Sequence, residues 1–488
     1  MKTKCEDNLK NEISTDFIDD HKIRKLLNLN NEPSKQEVLE IIKKSMEVSE
    51  ALNLEDCATL LAVNNPETLE IMFDAAAKLK NKIYDNRIVT FAPLYASNLC
   101  VNSCLYCGFR KENKEEIRRT LSMDEIKKEA AAICGKIGHK RLIFVTGEHP
   151  KTGSDYIAEA LKAIYSVKVP TKKGFGQIRR INVNIAPMSV SDLKKLKEVG
   201  LGTYQVFQET YDRNLYKKLH PGTGPKSDFN WRLYCMHRAF EAGIDDVALG
   251  ALFGIGDWKF EVLGMLSHTK ELEKTFGIGP HTLSFPRLEK ASGSNLTGAM
   301  AQTVNDYDFK KLVAILRLSV PYAGLIVTAR ETPEVIKSVI PMCTQRDAAS
   351  KIGIGSYSER YSKQELKRQQ FQLGDTRSLD EVIGELADLG YITSFCTAGY
   401  RCGRTGKLIM KLLKCGRESK FCKLNAILTF REWLDDFACE KTKAKGEKLI
   451  KKEIQEVKAQ SHRFTPEMKK TLSLYYKKIL DGKRDLYF

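Results

Sequence analysis

Cys100, Cys104 and Cys107 stand together in the stretch CVNSCLYC, with three and then two residues between them. Grouped thiolates are the usual ligands of iron-sulfur clusters. Three of them leave one iron of a [4Fe-4S] cube without a protein ligand, and no fourth cysteine follows nearby. An open iron can take an exogenous ligand, by the logic that leaves one position free in catalytic zinc sites. The ordinary alternatives are a closed zinc site or a chance grouping; the spacing and the shared loop favour the cluster. A second candidate stretch is CTAGYRCGRTG, residues 396–406, in which Cys396 and Cys402 precede Cys415, Cys422 and Cys439.

Such residues need a rigid frame. From residue 88 short β-rich runs appear in order: IVTFAPLY, LIFVTG, INVNIAP, GTYQVFQET, DVALGALFGIG, HTLSFPRL, GLIVTARE and, more weakly, KIGIGSY. Amphipathic helical text such as SMDEIKKEAAAICGKI and SVSDLKKLKEVG lies between them. Strands alternating with helices indicate an α/β fold, and this many units in one series predicts a (β/α)8 TIM barrel over residues 86–360. In such a barrel the reactive residues sit at the C-terminal ends of strands. CVNSCLYC follows the first strand, Thr146, Gly147 and Glu148 end the second, FQET ends the fourth, and TARE, with Arg330, ends the seventh. Residues 1–85 read as an N-terminal helical extension, with apolar residues at three- and four-residue spacing in EVLEIIKKSMEVSEALNL and PETLEIMFDAAAKLKNKIY. Residues 361–488 open on a polar stretch, YSKQELKRQQFQLGDTRS, read as a linker or mobile loop, and continue as a helical region that carries the late cysteines.

Composition narrows the partners. At 488 residues, with 42% hydrophobic and 29% charged residues, the chain has the make-up of a globular protein. The start, MKTKCEDNLKNEISTDF, lacks an apolar core for secretion, and no run is apolar enough to span a membrane. A cytoplasmic location without membrane contact is expected, and the thirteen cysteines then point to metal or redox chemistry rather than disulfides. The net charge of +17 would attract anions. Much of the lysine lies in mixed-sign helical text such as KGEKLIKKEIQEVKAQ, however, and no RNA-recognition signature accompanies it, so no nucleic-acid partner is expected.

Cys100, Cys104 and Cys107, with Tyr106 before the last of them, resemble the signature of the radical S-adenosylmethionine enzymes. That resemblance implies that the open iron binds the amino and carboxylate groups of S-adenosylmethionine and that one electron cleaves its sulfonium to a 5′-deoxyadenosyl radical. It also implies that Tyr106 packs near the adenine and that Thr146, Gly147 and Glu148 meet the methionine amino group. GHKRLIFVTGEHP, IRRINVNIAP, GTYQVFQETYDRNLYKKLHP, EAGIDDVALGALFG, GIGPHTLSFPRL and CTAGYRCGRTG together resemble the aromatic-amino-acid lyase branch, above all the tyrosine lyases that mature [FeFe]-hydrogenase. This implies cleavage of the tyrosine Cα–Cβ bond to p-cresol and dehydroglycine. Arg330 is the candidate clamp for the substrate carboxylate, which a guanidinium grips bidentately. In that branch dehydroglycine moves to a second cluster near the C-terminus and yields carbon monoxide and cyanide on an extra iron, whose histidine ligand His281 matches.

The family's second cluster uses CxxC followed by a cysteine 23 residues on; Cys396 and Cys422 match the first and third ligands, but the second position is Gly399. Three readings stay open. Cys402 replaces the missing thiolate, since a three-residue shift on a helix stays on the same face at roughly 5–6 Å. Alternatively the site is degenerate and dehydroglycine leaves intact, or Cys396, Cys402, Cys415 and Cys422 form a zinc site without the usual paired knuckles. The functional alternatives follow the same division: a tyrosine lyase of hydrogenase maturation, a 2-iminoacetate synthase that releases dehydroglycine, or a non-catalytic iron-sulfur carrier. The expected partners are L-tyrosine, an electron donor such as ferredoxin or flavodoxin, and hydrogenase maturation proteins, in an anaerobic setting.

Overall fold

Strand β1 (Arg87–Ser97) is buried along its whole length, as a strand covered on both faces must be. The computed structural model describes residues 17–29, 31–294, 296, 304–358, 366–395 and 397–488. Around β1 follow β2 (Arg141–Thr146), β3 (Arg180–Asn184), β4 (Leu201–Gln205), β5 (Val247–Gly250), β6 (Thr282–Ser284), β7 (Gly324–Val327) and β8 (Gln345–Asp347). Each is parallel to its neighbour, and β8 closes onto β1 through Val89↔Gln345, Thr90↔Arg346 and Phe91↔Asp347, so the eight strands form the expected TIM barrel.

The eighth strand is not KIGIGSY, which is mostly turn; it is the preceding Gln345–Asp347. Its polar sequence hides it from a search for apolar runs. The structure tolerates those residues inside because Arg346 pairs with Asp375 at 2.9 Å and Asp347 accepts from the Ala329 amide at 2.7 Å. The C-terminal region, read as helical, also supplies a ninth strand, β9 (Ile392–Ser394), which runs parallel to the first residues of β1.

Helices Asp20–Leu29, Lys35–Met46, Leu54–Ala62 and Pro66–Tyr84 form the N-terminal extension. The last packs against Asp306–Ser319 on the barrel's flank. Among the described residues no helix is long and apolar enough to cross a membrane.

Helix Glu418–Asp436 is buried on almost every side, charged residues included. Lys423 pairs with Glu453 at 2.6 Å and Glu456 at 2.7 Å, Asp436 with Arg484 at 2.7 Å, and Glu432 with Arg179 at 2.8 Å and Lys140 at 3.1 Å. Lys140 and Arg179 directly precede β2 and β3, so these pairs fasten the helix beneath the N-terminal end of the barrel. Burial alone would raise the Glu432 carboxyl; Arg179 and Lys140 overcome this and hold it down at about 2, against an ordinary 4.5. A carboxyl lowered on folding stabilises above its unfolded value and loses that contribution as pH falls through the folded one. The Glu432 contribution is therefore intact at neutral pH and disappears between pH 4.5 and about 2. Glu432→Ala leaves buried Lys140 without its carboxylate and Arg179 with Asp485 alone, at 3.1 Å, and is expected to cost about 3–5 kcal/mol at neutral pH, read by denaturant unfolding. An unchanged midpoint would show that the pairs do not hold this helix.

Candidate functional site

The loop after β1 is pinned across the C-terminal end of β2. The Val101 amide donates to the Glu148 carbonyl at 2.9 Å, and the Gly147 amide donates to the Ser97 carbonyl at 2.9 Å. A side chain at Gly147 would begin 2.3 Å from the Leu99 carbonyl oxygen, so only glycine lets the strand end pass this close beneath the cysteine loop.

Cys100, Cys104, Cys107, Tyr106, Glu148 and Arg330 line one cavity at the C-terminal end of the barrel. Residues far apart in the chain, each expected at a strand end, thus meet. Burial raises the Cys104 thiol and, together with its two neighbouring thiols, pushes Cys107 up to about 12. Without a cation these groups stay protonated, whereas a bound metal deprotonates a coordinating thiol outright. Two side-chain amides point at sulfur: Asn102 Nδ2 lies 3.8 Å from Cys100 Sγ, and Gln370 Nε2 lies 3.5 Å from Cys107 Sγ. Hydrogen bonds to the sulfurs are among the determinants of a cluster's potential.

Asn102 also donates to Glu148 Oε2 at 2.6 Å, which fixes that carboxylate beside Cys100. Tyr106 is buried, with its hydroxyl 2.8 Å from His220 Nε2. Burial, reinforced by the charge of Lys226, pushes His220 down to about 3, so it remains a neutral partner. Glu209, the third residue of FQET, takes a left-handed backbone conformation with φ 72°. It meets Lys226 at 2.7 Å and Arg232 at 3.5 Å on the cavity wall.

Arg330 lies over the Phe371 ring at 3.4 Å and donates to the Arg287 carbonyl at 3.3 Å. Among the described residues no carboxylate forms an ion pair with it, whereas nearby Arg287 is paired with both Glu331 and Asp306. Its charge is therefore open to an anionic ligand in the cavity.

The second candidate group lies at the opposite end of the barrel. His281 directly precedes β6; its Nδ1 is buried without a hydrogen-bond partner among the described residues, and its ring sits 6.3 Å from that of Tyr400 in CTAGYRCGRTG. Burial lowers the imidazole despite Asp246 nearby, and Arg141, Arg87 and Arg180 lower it further, leaving the neutral form that binds metals. Arg180 in turn lies 3.7 Å over the Tyr400 ring, joining the C-terminal segment to the start of β3. Cys396 falls outside the described residues. Cys422 is buried, and its Sγ lies 3.9 Å from Glu418 Oε1. Cys402 is exposed, with its thiol directed at the Phe488 carbonyl at 3.6 Å. Cys415 is also exposed. Among the described residues a side chain at Gly399 would meet nothing closer than 3.8 Å, so none of them requires glycine there.

Residues 94–265 match the Radical SAM superfamily, and residues 284–392 match the Biotin and Thiamin Synthesis associated domain. The crystal structure of HydG, a maturase of the [FeFe]-hydrogenase, aligns over 97% of this chain and 100% of its own with a TM-score of 0.90 and 43% identity. The chain belongs to the HydG-like family of radical SAM proteins. HydG from Carboxydothermus hydrogenoformans is similar at 39% identity and a TM-score of 0.76, over 93% of this chain and 97% of that one. The 2-iminoacetate synthase of Salmonella typhimurium is 32% identical over 356 residues, 71% of this chain and 89% of the relative.

Membership of the radical SAM superfamily implies a [4Fe-4S] cluster and S-adenosylmethionine, and the donor set of this loop fits the cluster. Its three thiols share one cavity, two receive N–H groups, and Gly147 leaves room for the approach of strand and loop. The sequence reading missed Asn102, Gln370 and Glu418. Gln370 and Phe371 lie in the polar stretch read as a linker, whose described part folds over the cavity instead: Gln370 accepts from the Tyr95 hydroxyl at 3.0 Å. Nothing in that polar text marks it. Glu418 did leave a signal, because it stands one helical turn before Cys422 on the same face.

Proposed function

We propose that this HydG-like chain is a tyrosine lyase that cleaves the Cα–Cβ bond of L-tyrosine to p-cresol and dehydroglycine for [FeFe]-hydrogenase maturation. The observation that carries this reading is the Arg330 guanidinium, without an ion-pair partner among the described residues, in the same cavity as Cys100, Cys104, Cys107 and Glu148. When bound, the cluster and S-adenosylmethionine supply a 5′-deoxyadenosyl radical. Arg330 clamps the tyrosine carboxylate and so sets the position of the amino group from which hydrogen is removed. Glu148, held by Asn102, receives the methionine amino group, and Tyr106 takes its place beside the adenine. Phe91, Ile143, Val145 and Ile326 supply apolar wall that keeps water from a reactive intermediate.

Dehydroglycine then passes to the other end of the barrel, where His281 and the C-terminal cysteines hold the second cluster and its extra iron. The test is anaerobic incubation of the reconstituted chain with S-adenosylmethionine, a one-electron reductant such as reduced ferredoxin or flavodoxin, and tyrosine. p-Cresol, carbon monoxide and cyanide are expected; absence of p-cresol rejects the lyase. The glycine at position 399 favours a second reading, in which dehydroglycine is released intact, as the product named in 2-iminoacetate synthase. p-Cresol without carbon monoxide or cyanide would establish that reading instead. His281→Ala is expected to lower carbon monoxide per p-cresol roughly tenfold or more, since loss even of a ligand's supporting partner costs 10–100-fold. An unchanged ratio would remove His281 from the site.

A further inference from the structure

Gly399 lacks a ligand, but the space beside it does not. Glu418 opens the buried helix that carries Cys422 and is only 5% exposed. Its Oε1 lies 3.9 Å from Cys422 Sγ and 3.9 Å from the point where a side chain at Gly399 would begin. Its Oε2 is buried and forms an ion pair with Arg404 Nε at 3.4 Å, but among the described residues it accepts no hydrogen bond of good geometry. A single guanidinium contact of poor hydrogen-bond geometry leaves a buried carboxylate under-satisfied, and an incompletely hydrogen-bonded buried polar group is costly. Carboxylates are established ligands of iron. Cys402, the other candidate for the missing position, turns its thiol outward to the Phe488 carbonyl.

We propose that the Glu418 carboxylate supplies the ligand that Gly399 lacks, so that the C-terminal iron-sulfur site is held by a mixed set of thiolate and carboxylate that includes Cys422. The inference rests on the proposed second cluster and specifies its ligands. A glutamate reaches further than a cysteine, which is why it can serve from the neighbouring helix while position 399 carries no side chain. The carboxylate replaces one anionic ligand by another, and Arg404 remains beside it as an outer charge partner.

The full-length chain, reconstituted anaerobically with ferrous iron and sulfide, provides the test through iron content and Mössbauer spectra. The parent is expected to hold about eight irons in two cubes, and Glu418→Gln about four. Adding Gly399→Cys to Glu418→Gln is expected to restore the lost iron, now with an all-thiolate spectrum, which a merely misfolded Glu418→Gln chain would not regain. Parent-like iron and an unchanged spectrum in Glu418→Gln overturn the proposal, as does failure of Gly399→Cys to rescue it. If Cys422→Ala loses iron while Glu418→Gln does not, the second cluster stands without Glu418. A parent chain holding only about four irons removes the second cluster and this inference with it.

Discussion

Cys104→Ala is expected to abolish S-adenosylmethionine cleavage, measured as 5′-deoxyadenosine, and with it all p-cresol. The expectation follows from the geometry of the loop. Cys104 is buried, and its amide-to-carbonyl neighbour Cys107 closes the tight turn that points both thiols into the cavity. No other described cysteine lines that cavity beyond Cys100 and Cys107. With two thiolates remaining the cube loses its anchorage, and the iron content of the reconstituted chain should fall by about four per molecule. Asn102 and Gln370 would then face sulfurs without a cluster to tune. Appreciable 5′-deoxyadenosine from Cys104→Ala would mean that the loop does not hold the cluster and would remove the basis of the lyase reading.

Arg330→Lys is expected to lower kcat/KM for tyrosine by about 10²-fold, the scale of a small misplacement of a reacting group. Lysine keeps the charge but loses the planar fork that binds both carboxylate oxygens and stacks on an aromatic face. Both features are in use here: the guanidinium lies 3.4 Å over Phe371 and has no ion-pair partner among the described residues. The discriminating measurement is the ratio of p-cresol to 5′-deoxyadenosine. A clamp that acts on tyrosine alone lowers this ratio, because the cofactor is still cleaved while the substrate is held wrongly. Equal losses of both products would place Arg330 in cofactor binding, and unchanged kinetics would exclude it from the site.

The two ends of the barrel were not equally legible. At the C-terminal end, Cys100, Cys104 and Cys107 declare themselves by spacing, and Thr146, Gly147, Glu148 and Arg330 by falling where β-rich runs stop. A parallel barrel carries every strand's end to one face, so local text is enough to assemble that list. Gln370 and Phe371 escaped because they reach the cavity from a polar stretch whose own pattern carries no sign of burial. At the other end the residues come from the beginnings of strands and from a C-terminal segment; the cysteines of that segment mark themselves, but the strand-start residues appear in the sequence as isolated polar groups. Asp246 and His281 read alone as ordinary loop residues; in the fold they share the space under Tyr400 and Arg180.

Sequence by itself determined the barrel, the loop that groups three cysteines and the glycine at position 399. Those features are local: the period of apolar residues, the spacing of three cysteines and the identity of one residue are all carried by contiguous text. Only the tertiary structure decided that β8 is the polar Gln345–Asp347, that Arg330 has no carboxylate partner among the described residues, and that Cys402 turns outward while Glu418 lies beside Cys422. Whether a charge is paired, or a side chain faces in or out, depends on groups brought together from distant parts of the chain. Long-range packing sets those meetings, and no single stretch of the sequence encodes them.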